Sequence, residues 1–366
     1  MDKDKIQKEA LNKLKGKTLA GVNISMGVGK TRIGIKDMVK HYRDGARFLV
    51  VVPRLSVIES WINEFKEVSL EAFLEETVVF STYRSLLKQD LDFDKVYLDE
   101  CHSLKFSHRP WLAEAVKKGV HILGLTGTYP IYKTGEKAEM CNKYCPLTYE
   151  YLLDDAVDDN ILNDYRIYIH PLTLNKEMDY AVKDKEGNVK WMSSEKKSYD
   201  YWCGKLSNAS NSRDLQILRV MRMKSLQDFP GKMEYVKTLL TNRKHKTIVF
   251  ANTKKQADEI SNFSHHSGNS KTVNKERLEL FKAGNVELLT AVEQLNEGVN
   301  VPDLKTGIIM HTYSNNRKAS QKIGRLLRLN PEETADIHIM CYVDTVDKEW
   351  VTSALKHLNQ KKIIWL

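Results

Sequence analysis

The run Phe48-Leu49-Val50-Val51-Val52 constrains the fold more than any other stretch of the chain. Five apolar residues follow one another without polar alternation, closed on one side by Arg47 and on the other by Pro53. A strand that is apolar on both faces must be covered on both faces, which is the situation of a strand inside a parallel sheet. Parallel neighbours need long crossover connections, most often helices. The sequence supplies them. Strand-like runs recur at residues 18–24, 77–83, 95–98 and 121–125, with helical patterns at 4–14 and 31–41 and an apolar stripe of Val57, Ile58, Trp61, Ile62 and Phe65. Ser56 is expected to cap that last helix.

The same rhythm returns in the second half. Strands are expected at 246–251, 286–292, 306–310 and 336–343, and helices at 255–263, 274–283, 317–329 and 347–358. A chain of 366 residues is long enough for two domains of ordinary size. Four aspartates between 154 and 159 read as a solvated face or hinge, and a new strand begins near residue 166, so the boundary falls at 164. The fold class is therefore α/β: two tandem parallel-sheet domains, 1–164 and 165–366, with a small, mainly helical insertion at 175–228. In that insertion Trp191, Tyr199, Tyr201 and Trp202 alternate with lysines. They read first as a helical packing layer; the other reading is a surface that stacks bases and tracks phosphates.

Composition narrows the class. No run approaches the roughly 18 apolar residues of a membrane span. The N-terminus is charged and lacks the apolar stretch of a signal peptide, and five scattered cysteines read as reduced thiols. A soluble, cytoplasmic monomer without a membrane partner is the expectation. Cys141 and Cys145, or His265 and His266, match no zinc spacing. A net charge of +9 fits a polyanion partner.

The chemistry is carried by residues at strand ends. Ser25-Met26-Gly27-Val28-Gly29-Lys30-Thr31 stands between a strand and a helix. Such a loop turns backbone N–H groups of Gly27, Val28 and Gly29 towards phosphates, with the helix N-terminus adding its positive end. Lys30 brings a mobile charge to the β- and γ-phosphates, and the Thr31 hydroxyl a ligand to Mg²⁺. Ile24 occupies the position where the full G-x-x-x-x-G-K-[ST] pattern has glycine. Gln7, on the first helix, is either a surface side chain or an adenine contact. Asp99 and Glu100 directly follow an apolar strand, where two carboxylates are costly unless a cation offsets them. A Mg²⁺ nucleotide would do so: Asp99 then holds the metal, and Glu100 takes a proton from the attacking water. Thr126 and Thr128 follow the next strand and could couple the acid pair to a moving part. Arg325 and Arg328, three apart on a helical pattern with Gln321, share a face and suit a γ-phosphate as arginine fingers. Gly298 follows a strand, where backbone can approach a ligand.

Taken together, these residues resemble the superfamily-two helicases and translocases, motif by motif and in order. Residues 27–31 match motif I, 51–53 motif Ia, 80–83 motif Ib, 99–102 motif II in a DExH form, and 125–128 motif III. Residues 248–253 match motif IV, 295–302 motif V and 321–328 motif VI. The Met-Gly-x-Gly-Lys-Thr loop looks most like the Swi/Snf-type and phage branches, where Ile24 is unexceptional. Cys101 replaces the commoner alanine of motif II. The resemblance implies two RecA-like lobes, ATP in the cleft between them, and nucleic acid, DNA before RNA, across both. It implies nucleotide contacts from Gly298 and Gln321, coupling through His102, Thr126 and Thr128, and nucleic-acid contacts from Pro53, Arg54, Thr82, Tyr83, Asn252 and Thr253. The alternatives are a duplex translocase that does not separate strands, an RNA helicase, a metabolic P-loop kinase, and a non-catalytic module of the same fold.

Overall fold

The structure, a computed structural model, describes residues 2–25, 27–130, 134–183, 186, 188–292, 301, 303–312, 323 and 334–366. Gly298, Gln321, Arg325 and Arg328 lie outside the described residues.

One compact unit ends at Asp164 and a second begins at Tyr165. The first opens with α1 (Lys3–Leu14), which buries Ile6, Gln7, Ala10, Leu11 and Leu14 along one face. There follow β1 (Leu19–Ile24), α2 (Lys30–His41), β2 (Phe48–Val52), α3 (Leu55–Glu67), α4 (Glu71–Thr77) and β3 (Val78–Thr82). The rest is β4 (Lys95–Asp99), α5 (Arg109–Lys117), β5 (His121–Thr126), α6 (Glu136–Tyr144), β6 (Leu147–Tyr151) and α7 (Leu153–Asp158). The six strands form one sheet in the order β3-β2-β4-β5-β1-β6, and all of its pairs are parallel. Every residue of β2 is buried, as its uninterrupted apolar run requires, and so is every residue of β4, where Lys95 is paired with Asp37.

Helix α3 begins two residues earlier than the sequence suggests. Its N-cap is Arg54, whose side chain makes no capping bond, and Ser56 lies inside the first turn. Pro53 stops β2, and the chain turns straight into the helix. The acidic stretch also has local work: Asp155 accepts from the Leu152 backbone N–H at 2.7 Å, and Asp159 from the Tyr151 hydroxyl at 2.8 Å.

The second unit holds β7 (Tyr165–Leu172), the hairpin β8 (Tyr180–Lys183) and β9 (Val189–Ser193), and α8 (Glu195–Ser207), α9 (Ser212–Asp228) and α10 (Pro230–Thr241). It continues with β10 (Thr247–Ala251), α11 (Lys254–Ile260), β11 (Ser264–His265), α12 (Lys271–Lys282), β12 (Leu288–Val292), β13 (Thr306–Ile309), β14 (Ala335–Tyr342), α13 (Val346–Leu355) and β15 (Ile363–Trp365). Seven strands make a second sheet, β11-β12-β10-β13-β14-β7-β15, again parallel at each pair.

The insertion is helical after an antiparallel hairpin. It packs on one side only. Tyr199 is buried with Leu174, Leu226, Phe229 and Tyr342, and its hydroxyl accepts from the Val346 N–H at 3.0 Å. Trp191 and Tyr201 remain 57% and 56% exposed, so the packing-layer expectation holds for Tyr199 and fails for those two. Among the described residues no helix is long and apolar enough to cross a membrane.

Candidate active site

The carboxyl ends of β1, β4 and β5 gather the polar residues of the first unit, where ligands of parallel sheets bind. Gly27 and Gly29 both adopt positive φ, 89° and 105°, which glycine alone takes without strain. Gly29 is the N-cap of α2. A Cβ at Gly29 would stand 2.6 Å from the Gln7 side-chain nitrogen, so the loop is closely backed. Gln7 is that backing. It is buried, donates through Nε2 to the Val28 carbonyl at 3.0 Å, and accepts from Lys36 Nζ at 2.7 Å. Both ends of its amide are engaged within the protein, so Gln7 buttresses the loop, and an adenine contact requires it to exchange one of these partners.

Lys30 opens α2 and lays its ammonium on the Glu100 carboxylate. Glu100 is itself backbone-strained, with φ of 51°, and 4% exposed. The strain aims its side chain back across the strand ends. Its other oxygen, Oε2, accepts from the Thr126 hydroxyl at 3.0 Å. Because that hydroxyl gives its proton to Glu100, it accepts from the Thr128 backbone N–H at 3.0 Å and from His102 Nδ1 at 2.9 Å. The arrangement assigns the proton of His102 to Nδ1, which also lies 3.2 Å from Glu100 Oε2. Burial alone would raise the Glu100 pKa; the charges of Lys30 and His102 and the bonds from Lys30 and Thr126 hold it down at about 2. The two threonines, the histidine and the acid therefore form one connected set.

Asp99, 6% exposed, ends β4. Its Oδ2 accepts from the Trp61 indole N–H at 2.9 Å, and its backbone carbonyl accepts from the Tyr83 hydroxyl at 2.9 Å. A loop with room only for glycine, a helix N-terminus, a lysine, the Thr31 hydroxyl and two buried carboxylates are the donor set that a magnesium nucleotide requires, and the residues fit it.

The expected nucleic-acid residues divide. Pro53, Arg54, Ile58, Thr82, Arg84 and Gln89 line one groove of about 720 Å³ beyond the ends of β2 and β3. Tyr83 does not join them: it is 6% exposed and its hydroxyl is committed to Asp99. Its position beside Thr82 turns it into the core, so it links rather than contacts. In the second unit, Thr253 is the N-cap of α11 and accepts from the Gln256 N–H at 3.2 Å, while Gln256 Oε1 accepts from the backbone N–H groups of Asn252 and Thr253. The Thr253 hydroxyl thus has a structural task. Trp61 escapes a reading by periodicity, which places it correctly in the apolar stripe of α3 and is silent about its N–H.

Two family profiles match the chain: "Type III restriction enzyme, res subunit" over residues 1–131 and "Helicase conserved C-terminal domain" over 231–330. The DNA 3'-5' translocase XPB2 of Sulfurisphaera tokodaii is 24% identical over 370 residues, covering 86% of this chain and 76% of the relative. The ATP-dependent RNA helicase dbp2 of Emericella nidulans is 29% identical over 142 residues, 36% of this chain and 25% of the relative. Among solved structures, the ATP-dependent Type ISP restriction-modification enzyme LlaBIII bound to DNA matches with a TM-score of 0.63 and 13% identity, over 100% of this chain and 31% of that one. A fragment of an HsdR subunit of a type I restriction enzyme from Vibrio vulnificus matches with a TM-score of 0.59 and 18% identity, over 94% of this chain and 65% of that one. The chain therefore spans under a third of the restriction-modification enzyme and a quarter of the RNA helicase. Eight motifs in order, two parallel sheets and both matching profiles converge: the chain belongs to the superfamily-two helicases and translocases, enzymes that depend on ATP.

Proposed function

We propose that the protein is an ATP-driven motor on DNA. The observation that carries the reading is the set around Glu100: the loop cation Lys30, the acid, and Thr126 with His102 meet on one buried carboxylate. The loop N–H groups and Lys30 hold the β- and γ-phosphates, and Thr31 and Asp99 hold Mg²⁺. Bound Mg²⁺ supplies neutralisation of phosphate charge. Glu100 accepts the proton of the attacking water as its oxygen bonds to the γ-phosphorus and the bond to the ADP oxygen breaks. Phosphate competes with Glu100 for Lys30, and a Glu100 relieved of that cation is the stronger base. From the second half of the chain, Arg325 and Arg328 are proposed to stabilise the transition-state charge, with Gly298 and Gln321 at the nucleotide; this rests on the resemblance alone.

DNA is favoured over RNA because the DNA translocase aligns with 86% of the chain and the RNA helicase with 36%. The groove between Arg54 and Arg84 suits a phosphate backbone, so binding should be salt-sensitive and weakly dependent on sequence. Whether the motor separates strands or only travels on duplex is decided by running a strand-displacement and a triplex-displacement assay side by side. Triplex displacement without strand separation supports a duplex translocase; strand separation supports a helicase; neither, with either substrate and ATP, overturns the motor reading.

A further inference from the structure

The groove and the metal acid are joined by two hydrogen bonds that arrive from opposite walls of the groove. One wall is the start of α3, where Ile58 lines the groove. Trp61 stands one turn further on, fully buried, and donates to Asp99 Oδ2 at 2.9 Å. The other wall carries Thr82 and Arg84. Tyr83, between them, turns inward and donates to the Asp99 carbonyl at 2.9 Å. One bond holds the side chain of Asp99, the other its backbone.

A buried indole N–H needs a partner, and a backbone carbonyl is enough. Trp111 in this chain takes that course, donating to the Gln89 carbonyl at 3.0 Å. Trp61 instead donates to a carboxylate that ends a strand. The indole is also wedged: a Cβ at Gly34 of α2 would lie 2.7 Å from its ring, so the ring cannot move without α2 or α3 moving. The next turn of α3 reinforces the same axis, since Glu64 pairs with Arg32, the neighbour of Thr31. A displacement of α3 by a groove occupant therefore reaches the side chain of Asp99 directly and Thr31 through one ion pair.

We propose that Trp61 and Tyr83 are positioning residues through which nucleic acid in the groove sets the orientation of Asp99, and so couples nucleic-acid binding to magnesium-nucleotide binding. The inference rests on the nucleic-acid reading of the groove. Coupling between two ligands is reciprocal, so it can be measured without turnover. The affinity of a fluorescein-labelled single-stranded oligodeoxynucleotide, or of a hairpin duplex, is measured with and without Mg²⁺ and a non-hydrolysable ATP analogue. The wild-type chain should show a change on the order of 5- to 150-fold, the usual range of such coupling. Trp61→Phe keeps a ring and loses the donor; Tyr83→Phe loses one hydroxyl. Trp61→Phe should bring the factor to within about twofold of unity, and Tyr83→Phe should reduce it by about half or more, while affinity for the oligonucleotide alone stays within about twofold. Thermal unfolding accompanies each variant. If Trp61→Phe does not fold, Tyr83→Phe decides alone. Wild-type coupling in every folded variant overturns the inference, as does an equal loss of both affinities with the factor unchanged. Oligonucleotide that binds the wild type with no change on adding Mg²⁺ and the analogue also overturns the inference; failure of the wild type to bind either oligonucleotide overturns the nucleic-acid reading itself.

Discussion

The Lys30 ammonium rests on the Glu100 carboxylate, closing an ion pair between the glycine-rich loop after β1 and the acid that follows β4, two strands away in the sheet. Both groups belong to the chemistry, and each holds the other's charge in a buried setting. Burying either charge without its partner is expensive.

This pairing has a pH signature. Glu100 folds with its pKa at about 2 against an ordinary 4.5. The pair therefore stabilises the fold fully above pH 4.5, and that contribution fades as pH falls through about 2; the shift corresponds to something on the order of 3 kcal/mol. Denaturant unfolding at pH 7 and pH 3 should show the wild type losing part of its advantage over Glu100→Gln at the lower pH. An advantage that is constant across that range would mean the pair contributes nothing through Glu100.

Gly29→Ala should damage the loop from two directions. Its φ of 105° disfavours a side chain, and the added Cβ meets Gln7 Nε2 at 2.6 Å. Strain of about 1–3 kcal/mol is expected there, which corresponds to a loss of about 5- to 150-fold in nucleotide affinity if the loop is what binds it. Titration with a fluorescent ATP analogue reads this directly, with far-ultraviolet circular dichroism confirming an intact fold.

Thr126→Val removes the donor to Glu100 Oε2 and the acceptor of His102 and of the Thr128 N–H, while keeping the volume. The expected result is a drop in kcat of about ten-fold with little change in KM for ATP, because the acid loses its orientation and the phosphate contacts remain. A rise in KM alone would assign Thr126 to ground-state binding.

Arg54→Ala should weaken binding of any DNA sequence to a similar degree. The slope of log affinity against log salt should fall by about one, as for each phosphate contact removed. Fluorescence anisotropy at three salt concentrations measures it; an unchanged slope would take the groove out of the phosphate path.

The parts of this molecule that were legible in the sequence share a cause. The strands Phe48–Val52 and Lys95–Asp99 are buried on both faces, so their apolar runs are long and any polar residue at their ends stands out. Asp99 and Glu100 are visible for that reason, as is Thr126 at the end of the buried β5, while Lys30 is visible through its glycine-rich loop. What stayed hidden is long-range or very short. The bond from Trp61 to Asp99 spans 38 positions and depends on α3 packing against α2, which periodicity cannot specify. Tyr83 reads as exposed by analogy with its neighbours in the motif, yet the turn after β3 rotates it into the core. Strands β11 and β15, of two and three residues, are too short to carry an alternation. Ser56 shows a capping residue type at a position that the early turn after Pro53 had already passed.

The most direct measurement is the rate of ATP hydrolysis by the wild type and by Glu100→Gln, with single-stranded DNA, duplex DNA, branched DNA and RNA in parallel. The account predicts hydrolysis stimulated by at least one DNA form more than by RNA, and a Glu100→Gln chain that still binds ATP but has lost on the order of 10²–10⁴-fold in turnover under every condition. Hydrolysis indifferent to all four nucleic acids, or wild-type turnover in Glu100→Gln, would contradict it.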